Sequence, residues 1–188
     1  MKGVRVGKKR RENRRPAGRQ SQVAERLKKL LGLKPLPLEG GYYVESYRSS
    51  EMLTAGAVSG CAHGTRVLST AVYYLLTPDT CSRLHRLSSD EVYHFYLGDP
   101  VELLQLMPDG TVRVVTLGPK VFEGMHLQAV VPRGLWQGAR LRRGGRFALL
   151  GTTMAPGFDF SDCEMGDRQR LLQRYPDCRT TILSLTSA

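Results

Sequence analysis

The chain lacks the features that staple or anchor small proteins. Among its 188 residues there are four cysteines, Cys61, Cys81, Cys163 and Cys178, scattered with no Cys-x-x-Cys pair. That spacing gives no zinc knuckle and no thioredoxin-like motif, so free thiols in a reducing compartment are expected. No run of apolar residues approaches the roughly 20 needed to cross a bilayer. The charged N-terminus is not followed by the apolar stretch of a secretory signal. Histidines number four and there is one tryptophan. Acidic groups are also scarce, 17 against 28 Lys and Arg, for a net charge of +11.

The excess of positive charge is local. Residues 1–19 hold nine basic side chains and the single acid Glu12, a net +8, which leaves only +3 for everything else. The body is therefore not evidently a nucleic-acid binder. Residues 1–20 have almost no apolar side chains and are expected to be a disordered basic tail, ahead of one domain over 21–188. Three readings of the tail stay open: a nuclear address or weak polyanion contact, part of an organelle presequence, and a solvated arm. The expected location is cytoplasmic or nuclear. With 41% hydrophobic residues, the remaining chain is long enough to bury a core without staples.

Val23, Leu27, Leu30 and Leu31 recur on one helical face, which predicts a helix over 22–31 with Ser21 as N-cap and Gly32 as its stop. From residue 42 the pattern becomes that of strands. Ala71–Leu76 and Glu91–Leu97 are rich in β-branched and aromatic residues. Val101–Met107 and Thr111–Leu117 flank Pro108-Asp109-Gly110 and predict a hairpin. Val130-Val131 leads into the turn Pro132-Arg133-Gly134, and Arg146–Met154 reads as the last clear strand. Turn residues recur about every ten positions, the rhythm of a β-sandwich or barrel. Ser161 and Glu164 have the spacing of a capping box, predicting a short helix that ends at Tyr175. Thr180–Leu185 reads as a closing edge strand.

The block Ser82–Gly98 carries the residues with chemistry, and it resembles the first motif of the cupin superfamily, G-x5-H-x-H-x3,4-E-x6-G. His85, Glu91 and Gly98 stand at the first histidine, the glutamate and the closing glycine. Leu87 replaces the second histidine and Asp79 the opening glycine. Pro132-Arg133-Gly134-Leu135-Trp136-Gln137 echoes the second motif, with Gln137 at its histidine. Seven segments in order extend the likeness: Glu39-Gly40-Gly41-Tyr42-Tyr43, Tyr47-Arg48-Ser49, Tyr73–Leu76, His85-Arg86, Asp90–His94, Trp136-Gln137 and Ala155–Phe160. Over about residues 22–178 they resemble the RmlC-like cupin family known as domain of unknown function 985. One departure is Pro37-Leu38, where that family has His-Pro. The resemblance implies an all-β fold with minor helices, a jelly-roll or double-stranded β-helix barrel. It also implies a homodimer and likeness to sugar-nucleotide epimerases, without an established reaction.

Metal cupins offer three histidines and a glutamate. Here His85 and Glu91 alone remain, so no cofactor is expected, and a divalent metal on that pair is the weaker alternative. His94 lies three residues beyond Glu91 and, on a regular strand, points to the opposite face. The resemblance instead favours His85 as a general base, with Glu91 orienting it or acting as acid. Tyr42, Tyr43, Tyr73, Tyr74, Tyr93 and Tyr96 are nearby, and a tyrosine opposite a histidine is a workable acid–base pair. A jelly roll also buries such rings simply as core. Ligand-binding candidates are Trp136, for stacking at the barrel mouth, and Gln137, Glu45 and Tyr74. Arg66, Arg83 and Arg86 are candidates for holding a phosphate or carboxylate. Alternation places Arg83 on the side of His85 and Arg86 on the other, making Arg83 the better anion ligand. Arg48, like Glu45 near the Gly-Gly turn, is a pocket candidate of lower standing. The expectation is a small polar or anionic ligand, sugar-like, turned over by metal-independent isomerisation or epimerisation. A non-catalytic binding or sensing cupin is the alternative, and a metal-dependent enzyme the second.

Overall fold

The computed structural model describes residues 18–54, 56–57 and 65–186, with side chains from position 22. Most of the basic tail, residues 1–17, and Cys61 lie outside these residues. Helix α1 (Gly18–Leu31) starts three residues before Ser21, which is therefore inside the helix and not its cap. Gly32, at φ +68°, ends it, a backbone geometry that glycine adopts without strain. The strands follow as β1 (Lys34–Pro35), β2 (Tyr42–Arg48), β3 (Met52–Leu53), β4 (Arg66–Val67), β5 (Thr70–Leu76), β6 (Cys81–Arg86) and β7 (Glu91–Gly98). Then come β8 (Val101–Leu106), β9 (Val112–Leu117), β10 (Gln128–Val131), β11 (Trp136–Leu141), β12 (Ala148–Met154) and β13 (Glu164–Met165). Helices α2 (Arg168–Arg174) and α3 (Arg179–Leu185) close the chain.

Two antiparallel sheets face each other, ordered β1-β2-β5-β12-β7-β10 and β13-β6-β11-β8-β9, with β3-β4 as a separate pair. Strands adjacent in space are mostly distant in sequence, as a jelly roll requires. The expected hairpin is present: β8 and β9 pair from Val101–Leu117 to Leu106–Val112. Between the sheets lies a core of Tyr74, Leu76, Tyr93, Phe95, Leu103, Val115, Leu117, Ala139 and Leu150. Outside the six-stranded sheet, α1 packs Ala24 and Leu27 on Leu75, Phe147 and Leu149. Outside the five-stranded sheet, α2 and α3 cover Leu84, Leu104 and Leu106 with Leu171, Tyr175, Ile182 and Leu185. No helix among the described residues is long and apolar enough to cross a membrane.

Two expectations at the C-terminus are corrected. Thr180–Leu185 is helical, because Ile182 and Leu185 are both completely buried in the α2–α3 cluster. Residues three apart share a helix face but not a strand face, and the β-branched run Thr180-Thr181-Ile182 masked that spacing. Ser161 and Glu164 form no capping box. Glu164 sits in β13 and pairs with Arg86, Ser161 is bound by Asp159, and Asp167 caps α2 by accepting from the Arg170 amide.

The helical face makes a specific forecast. Ile182→Ala and Leu185→Ala should each lower the unfolding free energy by about 2–5 kcal/mol, read from urea denaturation. Leu183→Ala, at a position 39% exposed, should stay within about 0.5 kcal/mol. An equal loss at Leu183 and Ile182 would contradict the helix.

Candidate functional site

The site begins with a break in strand alternation. Opposite β11, Gln137 pairs with His85 and Ala139 with Ser82, so β6 carries one extra residue in between. That bulge changes which face each following residue presents. Leu84 joins the cluster under α2 and α3, whereas His85 is buried beside Glu91 and Glu39 with 1% exposure. The Arg83 carbonyl at the bulge accepts a hydrogen bond from His85 Nδ1 at 2.7 Å. The Arg83 amide donates to the Glu39 carbonyl at 2.8 Å. The bulge is thereby stitched to the Glu39-Gly40-Gly41 turn.

That turn places the Glu39 carboxylate. Gly41, at φ +70°, lies where an added Cβ would fall 2.6 Å from the Tyr74 hydroxyl, so glycine is required for close approach. The Tyr74 hydroxyl donates to the Gly40 carbonyl at 2.9 Å. Glu39 Oε2 then faces His85 Nε2 at 3.5 Å, and Glu39 Oε1 accepts from the Cys163 thiol at 3.8 Å. In the same six-stranded sheet as Tyr74, Glu91 opens β7. Its Oε2 accepts from the Gln137 amide at 2.8 Å, and the Thr152 hydroxyl also bonds it. The carbonyl oxygens of Gln137 and Gln105, cross-strand neighbours, are buried with no protein partner among the described residues.

Glu39, Tyr74, Glu91, Tyr93 and Leu87 form one wall of a cavity of about 520 Å³ against the six-stranded sheet. Leu36, Val44, Val72 and Met154 make its apolar sides, and Lys34, Tyr43, Glu45, Arg48, Thr70, Thr152, Phe158, Asp159 and Phe160 complete the lining. Burial, eased by the His85 charge, raises the Glu91 carboxyl above the ordinary carboxylate range. Burial and then Glu39 push the Tyr74 hydroxyl well up, and burial and then Glu91 do the same for Tyr93. Burial beside Glu39 drives the Cys163 thiol to about 12, so it stays a hydrogen-bond donor.

The structure brings some expected site residues together and separates others. Glu91, Tyr74 and Glu45 reach the cavity wall. His85 faces inward but lies behind Glu39, not on the wall. Gln137 also sits behind the wall, holding Glu91. Trp136 is not at the barrel mouth: it packs on the outer face of its sheet, near α2 and under the Arg86 guanidinium, 4.8 Å from the ring centroid. Arg83 is not among the lining residues, because the bulge breaks the alternation that paired it with His85. His94 is on the outer face as expected, bonded to Thr153 and Gln128. Glu39 is the residue that sequence reasoning left out of the site, although its Glu-Gly-Gly block was visible.

This geometry agrees with the comparisons to known proteins. The family model described as the Cupin superfamily (DUF985) matches residues 25–166. The chain belongs to this family. It is 31% identical over 132 residues to the uncharacterised protein YML079W of Saccharomyces cerevisiae, a match spanning 66% of this chain and 66%, just under two thirds, of the yeast protein. A hypothetical protein from Leishmania major superposes with a TM-score of 0.79 at 32% identity, covering 88% of this chain and 99% of that one. Protein SO0799 of Shewanella oneidensis superposes with a TM-score of 0.76 at 32% identity, covering 87% and 97%.

Many cupins hold a metal, and the donors present here do not fit one. Leu87 offers an apolar wall at a ligand position, and the Gln137 amide nitrogen is turned to Glu91. Among the described residues no three His, Cys, Asp or Glu side chains are arranged to hold an ion. What this cupin floor offers is two carboxyl groups in different settings, one backed by an imidazole.

The raised Glu91 carboxyl has a consequence for stability. A carboxyl whose folded pKa exceeds its unfolded value near 4.5 stabilises the fold fully below that value and loses the contribution as pH rises through the folded pKa. Glu91→Gln removes the ionisation while keeping an acceptor for Gln137. The melting temperature of Glu91→Gln should match wild type near pH 4 and exceed it increasingly toward pH 8. An unchanged gap across that range would remove the buried-carboxyl account.

Proposed function

We propose that this cupin binds a small polar ligand in its barrel and catalyses metal-independent isomerisation or epimerisation by proton transfer. The observation that carries this reading is the pair Glu39 and Glu91 on one cavity floor in unlike environments. Two carboxyl groups held differently can serve as base and acid in one turnover.

His85 supports the pair. Its Nδ1–H is committed to the Arg83 carbonyl, so Nε2 is the nitrogen that faces Glu39. A bare lone pair there would oppose a carboxylate oxygen, and the contact is attractive when one proton lies between them. With that proton on Nε2, Glu39 is a carboxylate backed by an imidazolium. Glu39 then takes a proton from a carbon next to a ligand carbonyl. Glu91, whose carboxyl burial shifts toward the protonated form, gives a proton to the carbonyl oxygen, forming an enol. Glu91 then takes back a hydroxyl proton of the enol. Glu39 gives its proton to the adjacent carbon, or to the other face of the first carbon once the enol has turned over. Both carboxyl groups are thereby restored and the isomer is released. The Tyr74 proton is engaged by Gly40, so Tyr74 offers an acceptor oxygen rather than an acid. His85 is thus a positioning residue, in place of the direct base that the motif suggested.

A non-catalytic binding cupin is the second reading, favoured by the burial of His85 behind the wall. The two separate cleanly. Small molecules retained by the purified protein are identified by mass spectrometry. They, and a panel of free aldoses and ketoses, are then incubated with it in D2O and followed by NMR. Deuterium should enter a C–H beside the carbonyl, and Glu39→Gln and Glu91→Gln should each slow this by at least about a hundredfold. A wild-type protein that retains a ligand yet exchanges no proton is a binder.

A further inference from the structure

Strand β2 carries a second bulge, between Glu45 and Tyr47. Residues 45 and 48 of a regular strand face opposite sides, and this bulge puts both on the cavity wall. There they lock together. Arg48 Nε donates to Glu45 Oε1 at 2.8 Å and Arg48 Nη2 to Glu45 Oε2 at 2.7 Å, a two-pronged fork. Arg48 is the only arginine lining the cavity among the described residues, and Lys34 the only other cation. Four carboxyl groups, Glu39, Glu45, Glu91 and Asp159, share the same lining.

Phosphate and carboxylate ligands are recognised by arginine forks that are open to them. Here the Nε–Nη2 edge of the fork is already filled by a carboxylate of the protein, and an entering anion also meets the Glu39 and Asp159 carboxylates in the lining. An uncharged ligand bearing hydroxyl groups meets no such repulsion, and its O–H groups can donate to Glu39 and Glu91. A cavity of about 520 Å³ accommodates a molecule of monosaccharide size.

We propose that the barrel selects an uncharged, hydroxylated carbonyl compound and refuses its phosphorylated or carboxylated analogues, and that Glu45 sets this preference by occupying Arg48. The inference rests on the reading of the barrel as the ligand site. It moves the expected ligand away from the anionic class, and it assigns Glu45 a specificity role exercised through Arg48.

The test frees the arginine. Glu45→Gln keeps the side-chain shape without the charge, and Glu45 is exposed, so folding is not at stake; circular dichroism verifies it. Binding of inorganic phosphate, glucuronate, and fructose with its 6-phosphate is measured by calorimetry and saturation-transfer NMR. Wild type should bind phosphate and the two anionic sugars at least tenfold more weakly than Glu45→Gln does. The gain should vanish in Glu45→Gln with Arg48→Gln, and Glu45→Asp should not show it. Unchanged anion affinity in Glu45→Gln, or wild-type protein that prefers the phosphate ester to the free sugar, overturns the proposal. Failure of the proton-transfer reading would appear separately, as absent deuterium exchange with these affinities unaltered.

Discussion

The site depends on where the strands break their own alternation. A strand presents successive side chains to opposite faces, so a single inserted residue changes which residues meet the core. In β6 that insertion lets Ser82 and His85, three apart, both follow inward neighbours on β11, while Leu84 between them turns out to the helices. In β2 the same device puts Glu45 and Arg48 on one wall. Bulges are costly to the hydrogen-bond ladder, and here each is tied down. The β6 bulge is held by the Glu39 turn, and the β2 bulge lies beside the Glu45–Arg48 fork.

The floor of the barrel follows from this frame. Glu39 arrives on a turn whose glycines allow Tyr74 to approach, and it finds an imidazole and a thiol as its partners. Glu91 arrives on β7 of the same six-stranded sheet, restrained by an amide from Gln137 on the facing sheet. Where metal cupins place imidazoles, this chain has a leucine that shapes the wall and a glutamine that holds a carboxylate. With no imidazole at those two positions, the cavity lining holds two carboxyl groups, each governed by its burial and neighbours.

Much of the fold was legible in the residues. The β-branched and aromatic runs Ala71–Leu76 and Glu91–Leu97, and Pro108-Asp109-Gly110 between two β-rich runs, are local signals, and local signals survive folding. The ordered segments from Glu39-Gly40-Gly41 to Phe160 carried the family. The closing helix was read as a strand because Thr180, Thr181 and Ile182 favour sheets, while the burial of Ile182 and Leu185 against Leu171 comes from tertiary packing. Trp136 was expected to stack a ligand because it follows a Pro-x-Gly turn. It faces outward because its neighbour Gln137 takes the inward position, and strand parity allows only one of the two.

The sequence by itself determined a β-rich fold, from strand patterns and turn chemistry, and its ordered motifs carried the resemblance that implied a jelly roll and pointed to Glu91 and Tyr74, which line the cavity. Such patterns and motifs are properties of the chain read locally. The tertiary structure decided that Glu39 and not His85 meets the cavity, that Arg83 does not line it, and that Glu45 closes on Arg48. Each of those depends on a bulge or on a contact between sheets, and a one-residue shift in register leaves no mark in composition yet reverses the face of every side chain beyond it.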